Sequence, residues 1–280
     1  MASQMLIYES AVPVSSTRHG AWSVEVGADY TFSKNVNSVP LLAVEIPNAA
    51  TEYAVVFSGT GEAMMPAVIL GMRGNENLYL TMQGGWQAKY LPAFVRRYPF
   101  VFSSSADGST FTLCVDESFP GFNQQGRGER LFDDQNKPTP YVENVLKFLE
   151  QYQIEFRRTH AFCAKLRALD LLEPMSAQAN LVTGERVSLT GFMAVNRDRL
   201  KALPAEALAE LAKTDALELL YLHLQSMRNF SGIMDRLGAK HSAETGETHE
   251  VSAFAQSQTE GPNPKEGKTT EKKQAVKSGK

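Results

Sequence analysis

Apolar and polar residues alternate in short bursts over the first half of the chain, and apolar residues recur at helical spacing over much of the second. Ser23-Val24-Glu25-Val26 alternates as a half-buried strand does. Tyr53–Phe57, Ala67–Met72, Leu78–Met82, Pro99–Ser103 and Thr110–Val115 have strand length and are separated by Gly-, Ser- and Asp-rich punctuation. Ala106-Asp107-Gly108-Ser109 predicts a hairpin between the last two. Pro40–Ala50 does not alternate cleanly and predicts a short helix.

Beyond residue 135 the period changes. Thr139 before Pro140 reads as a hydroxyl cap followed by a proline at the first helical position. Tyr141, Val145, Leu149, Tyr152, Phe156 and Cys163 then share one face, with Lys147, Glu150, Arg158 and Lys165 opposite, which predicts one long helix over about 139–170. Leu181–Leu189 predicts a hairpin turning at Thr183–Glu185, and Phe192–Val195 extends its second strand. Asn196 caps a short turn of helix, Pro204 starts another, and Thr214-Asp215 starts a final amphipathic helix through Leu217, Leu220, Tyr221 and Leu224. The fold class predicted is α+β: a β-rich N-terminal half of short strands, then a helical C-terminal half containing one β-hairpin.

Composition marks where the ordered part should stop. Residues 238–280 carry seven Lys and six Glu but only Val251, Phe254 and Val276 as large apolar side chains. Such a stretch buries too little to offset chain entropy, so it is expected to be a disordered tail. A single domain over 1–237 remains, β-rich over 1–135 and mainly helical over 136–237. Of 280 residues, 28 are basic and 31 acidic, a net charge of −3, so no global field recruits nucleic acid or an anionic membrane. No window approaches the apolar length of a membrane span, and the first ten residues do not resemble a secretory signal. Two cysteines, Cys114 and Cys163, are too few for a disulfide scaffold. Together these place the chain in the cytosol as an expectation.

Candidate chemistry is sparse. His160 and Cys163 share a helix face, but on the apolar stripe, where a buried thiol is the expected state rather than a nucleophile. Asp133-Asp134 reads as a solvated polar turn. No phosphate loop, nucleophile elbow, zinc or dinucleotide motif occurs, and no cofactor or metal is predicted. The densest block is Gly84 to Phe100. Pro92 and Pro99 bracket one or two helical turns there, on which Tyr90, Leu91, Phe94, Val95 and Tyr98 form one arc. Arg96 points away from the arc, while Arg97 lies on its flank, placed to pair with a carboxylate or stack on Trp86. The block reads either as core packing or as an aromatic and Arg cleft for a peptide or small anionic ligand. In the second reading Trp86, Tyr90, Arg97, Tyr98 and Phe100 are the ligand-binding candidates.

The order of motifs resembles the SapC family of bacterial proteins. The resemblance rests on Gly71-Met72-Arg73-Gly74-Asn75-Glu76-Asn77-Leu78-Tyr79, Gly85-Trp86, Tyr90-Leu91-Pro92 and Arg96-Arg97-Tyr98-Pro99-Phe100. It continues through Leu131-Phe132-Asp133, Leu189-Thr190-Gly191-Phe192 and Leu200 to Leu203, covering about residues 5–237. It implies a link to a bacterial surface layer, or to a TonB-dependent uptake system with halogenase-like and oxygenase-like partners. It carries over no catalytic residues. The resulting expectation is a non-catalytic accessory or binding protein. The alternative is an enzyme that modifies a peptide or small metabolite alongside those oxygenase- or halogenase-like partners.

Overall fold

The computed structural model describes residues 5–105, 107–180, 186–245 and 252–257. Along the N-terminal half run β1 (Ala11–Pro13), α1 (Ser16–His19), β2 (Ser23–Val24), β3 (Ser38–Pro40), α2 (Ile46–Ala49), β4 (Val55–Ser58) and β5 (Met65–Ile69). A single turn, α3 (Ala93–Arg96), precedes the hairpin of β6 (Phe100–Ser104) and β7 (Phe111–Asp116). Two short strands, β8 (Phe122–Asn123) and β9 (Glu129–Arg130), lead into α4 (Pro140–Ala168). Then come β10 (Leu172–Asn180), β11 (Arg186–Val195), α5 (Arg197–Lys201), α6 (Ala205–Lys213), α7 (Ala216–Ser226), α8 (Phe230–Thr245) and β12 (Ser252–Ser257).

Mixed helix and strand are thus both present, and the main sheet draws on both halves of the chain. Its antiparallel order is β12-β10-β11-β4-β5-β3, and it joins the halves where Ser58 pairs with Phe192 and Phe57 with Met193. Val55, Val56 and Phe57 of β4 are fully buried, as a strand covered on both faces must be. Smaller sheets, β1-β7-β6 and β8-β2-β9, flank the N-terminal part of α4. That helix buries Val142, Leu149, Tyr152, Thr159, Cys163 and Leu166, the stripe expected from its period. Proline at its first position is as expected, whereas the Thr139 hydroxyl donates to the Arg130 carbonyl at 2.6 Å instead of capping.

Several elements differ from the pattern. Leu78–Met82 is not a strand: Leu80 makes one bridge to Trp86, because the Thr81 carbonyl and hydroxyl close a turn on Gly84 and Gly85. Pro40–Ala50 is a strand end, a 3-10 turn at Ala43–Glu45 and the single turn α2, not one helix. The C-terminal hairpin is longer than expected, since its first strand starts at Leu172, and its turn at Thr183–Glu185 lies outside the described residues. The register slips between Met175 and Ala177, and Gly191 beside it takes φ +83°, where a Cβ would be strained. The expected boundary at Leu237 falls inside α8, which runs to Thr245, and β12 pairs with β10 from Met175↔Ser257 to Asn180↔Ser252. Backbone hydrogen bonding along that edge orders residues whose composition carries little apolar drive. Residues 246–251 and 258–280 lie outside the described residues.

Candidate functional site

Pro92 in extended backbone turns the chain into α3, whose last residue, Arg96, and the residue after it, Arg97, face opposite ways. Arg97 is 3% exposed. Its guanidinium carbon sits 4.4 Å from the Phe94 ring centroid, 4.9 Å from Tyr152 and 5.6 Å from Tyr8. Stacking on Trp86 is not among these contacts. Arg96 is exposed: its Nε donates to the Leu91 carbonyl at 3.0 Å, and its guanidinium lies 5.5 Å from the Phe148 ring centre.

Two cavities of about 320 Å³ each flank this pair. Val26, Arg96 and Tyr98 line both. The first is completed by Arg97, Phe100, Tyr141, Asn144, Val145 and Phe148. The second is formed with Asp29, Tyr30, Phe32, Leu91, Val95 and Phe119. Tyr98 is fixed between them by a stacked Phe32 at 4.1 Å and edge contacts with Tyr8 and Phe119. Val26 stands 59% exposed at the shared rim, an apolar side chain left facing water beside ring faces. Of the five residues expected in the cleft, Arg97, Tyr98 and Phe100 come together, whereas Trp86 and Tyr90 line neither cavity.

Trp86 and Tyr90 are bound up in the fold instead. Trp86 donates its Nε1–H to the Tyr53 hydroxyl at 2.8 Å, and Tyr53 donates on to the Tyr90 carbonyl. The Tyr90 phenol donates to Glu45 Oε1 at 2.7 Å, and the same oxygen accepts the Ala93 N–H at 2.7 Å. Glu45 is itself buried and takes the Leu42 N–H on its other oxygen, so this carboxylate pins the start of α3. The sequence offered no signal for it, since a lone acid in an apolar run reads as a surface position. Trp86 meets the cleft lining at Tyr30, whose ring centre lies 5.9 Å away.

Burial raises the phenols around the cleft. Tyr98 is pushed up to about 12 by desolvation, with Asp116 adding to the rise, and Tyr141 to about 12 by desolvation. Both stay protonated donors at neutral pH, which moves them away from acid–base work there. Elsewhere, Cys163 is pushed up to about 12 by burial, and His160 packs edge-on against Phe156 at 4.5 Å. Asp133 accepts the Gln135 and Lys137 N–H groups, and the latter holds it below the usual carboxylate range. No group of three His, Cys, Asp or Glu side chains among the described residues is placed to hold a metal ion. No helix among them is long and apolar enough to cross a membrane.

The model of the SapC family matches residues 14–233, so the chain belongs to the SapC family. Neither a curated relative nor a solved structure matches it.

Proposed function

We propose that this SapC-family chain is an accessory binding protein, holding a small ligand with an apolar or aromatic body and one anionic group. The observation that carries the reading is the convergence of two cavities on Arg96 and Tyr98, with Val26 exposed at their shared rim. Ring faces, Tyr98 among them, accept an apolar body, the protonated Tyr141 phenol donates, and the exposed Arg96 guanidinium offers a fork for a carboxylate, sulfonate or phosphate. Arg97 serves beneath it, filling the wall between Phe94 and Tyr152. The surface-layer or uptake role implied by the family resemblance, with the chain acting in the cytosol, is the setting we assign to this binding.

Naphthalene-2-sulfonate is a suitable probe, with 2-naphthol as its uncharged counterpart. Calorimetric titration of the full chain should show saturable binding of the sulfonate and weaker binding of the naphthol. Arg96→Ala should weaken the sulfonate about 10-fold, the equivalent of about 1.4 kcal/mol for a charge-assisted bond. Equal affinity for both probes, or an Arg96→Ala variant as tight as the parent, would sink the reading.

A further inference from the structure

The two cavities beside Arg96 share Val26, Arg96 and Tyr98 and differ in every other lining residue. The first runs along one face of α4, where Tyr141, Asn144, Val145 and Phe148 recur at helical spacing. The second is lined by Tyr30, Phe32, Leu91 and Phe119, two of which pack on the Tyr98 ring. Each cavity is about 320 Å³. That is the small end of the range for ligand pockets, roughly 300–1,000 Å³, and the pair together falls well inside it.

One exposed cation serves both. Arg96 commits its Nε–H to the Leu91 carbonyl at 3.0 Å and lies beside the Tyr90 phenol, which leaves the exposed remainder of its fork for an anion. A ligand centred on that guanidinium has an apolar hollow on each side, and a single ring fills one and leaves the other wet. Asn144 sets the two hollows apart. Its exposed carboxamide carries a donor and an acceptor beside the rings of the first cavity, the pair that matches the C=O and N–H of an amide link. The second cavity has Asp29 instead, whose Oδ1 accepts the Thr31 N–H at 2.9 Å. That carboxylate disfavours a second anionic group there, so the arm entering this side is uncharged or apolar.

Resting on the reading of this cleft as a binding site, we propose that its ligand is an N-acylated α-amino acid with an apolar side chain. The α-carboxylate lies on Arg96, the acyl arm enters the first cavity with its amide against Asn144, and the side chain fills the second. A single α-carbon carries the three groups that the cleft separates: an anion, an amide-linked arm and an apolar arm. The same chemistry stands in a free acyl-amino acid and at the C-terminus of a peptide.

Calorimetric titration of the full chain compares N-benzoyl-L-phenylalanine, which has both arms, with hippurate, which lacks the side chain, and 3-phenylpropanoate, which lacks the amide arm. The two-armed ligand should bind at least 10-fold tighter than either. Gly27 lines the second cavity, and a Cβ there meets nothing within 4 Å. Gly27→Leu should therefore fill that cavity, bringing N-benzoyl-L-phenylalanine down to the affinity of hippurate and leaving hippurate unchanged. Asn144→Leu should weaken both amide-bearing probes several-fold and spare 3-phenylpropanoate. N-acetyl-tetraalanyl-L-phenylalanine separates the sources: binding tighter than the benzoyl ligand assigns the cleft to peptide C-termini, and weaker binding assigns it to a free conjugate. Arg96-dependent binding of naphthalene-2-sulfonate, with N-benzoyl-L-phenylalanine no tighter than hippurate, would keep the cleft and overturn the two-armed ligand. An Asn144→Leu variant that weakens all three carboxylates alike would overturn the amide placement. Absence of Arg96-dependent binding for every probe would overturn both readings.

Discussion

His223 donates its Nδ1–H to the carbonyl of Val55 at 2.9 Å, while its Nε2 accepts the N–H of Val195 at 3.0 Å. Continuing the register Ser58↔Phe192 and Phe57↔Met193 would bring Val55 opposite Val195. The imidazole, fully buried on α7, therefore spans the gap where β4 and β11 stop pairing directly. Ser226 completes the splice, accepting the Val55 N–H at 3.1 Å. Only the neutral ring fits this arrangement, since one nitrogen must accept. Burial accordingly pushes His223 down to about 4.

Stability should therefore depend on pH in a defined window. With the folded value near 4 and the unfolded value near 6.5, the unfolded chain binds the extra proton between them. The contribution is fully present above pH 6.5 and is lost as pH falls toward 4, by up to about 3 kcal/mol. Urea unfolding at pH 7 and pH 5 should show the drop in the parent chain. His223→Leu should be less stable at pH 7, because Val195 N–H and Val55 C=O lose their partner, and its pH slope in this window should flatten. An unchanged slope would mean that another group carries the dependence.

Arg97→Ala should act on stability. A guanidinium enclosed by Phe94, Tyr152 and Tyr8 contributes through its stem and its stacking, so removal should cost about 2–4 kcal/mol. Arg97→Lys should recover only part of that, since an ammonium lacks the planar face. Unfolding midpoints for both, read beside naphthalene-2-sulfonate affinity of the folded protein, separate packing from recognition. If Arg97→Ala left stability intact and abolished sulfonate binding, Arg97 rather than Arg96 would be the anion partner.

Glu45→Ala should be among the most damaging single changes in the N-terminal half. It strands the Leu42 and Ala93 N–H groups and the Tyr90 phenol, three donors that Glu45 now satisfies. The expected loss is about 3 kcal/mol or more, seen as a lower urea midpoint with little change in slope.

What could be read in advance divides along sequence distance. The α4 stripe, the β6–β7 hairpin and the Asn196 cap, whose side chain accepts the Arg199 N–H at 2.8 Å, depend on neighbours a few residues away, and the pattern shows them. Strand β10 was hidden because Pro174 interrupts it and its alternating part, Met175–Asn180, offers only one methionine and two alanines on its apolar face, so its partners make it a strand. The cleft was half legible. Arg97, Tyr98 and Phe100 are contiguous with α3 and arrive together, but Val26, Tyr141 and Phe148 come from elsewhere in the chain. Trp86 and Tyr90 looked like site residues because aromatic density cannot distinguish a ring facing a cavity from one tied to Tyr53 or Glu45. The indole N–H and the phenol went to buried partners, which no spacing rule reveals.

Cys163 should be inert in the folded protein. It is 1% exposed, and burial pushes its thiol up to about 12, so hardly any thiolate forms at pH 8. Ellman's reagent should react with it slowly in buffer and fully in urea. Fast native labelling at this position, located by peptide mapping, would show that α4 opens along its buried stripe.

The C-terminal stretch separates composition from backbone pairing. Its polarity predicts that removal of everything after Leu237 leaves the midpoint unchanged. The structure predicts otherwise, on two counts. Cutting after Leu237 removes the last two turns of α8 with Lys240, which reaches Glu76 at 3.2 Å, and also removes β12. Cutting after Thr245 keeps α8 and removes β12 alone, leaving β10 as an open edge from Met175 to Asn180. The chain ending at Leu237 should therefore have the lowest thermal midpoint, the chain ending at Thr245 an intermediate one, and the full chain the highest. The Thr245 chain should also self-associate more readily, because an unpaired edge strand presents free N–H and C=O groups to another copy. Equal midpoints and equal solubility for all three would show that β12 and the end of α8 add nothing to the fold, as their composition alone suggests.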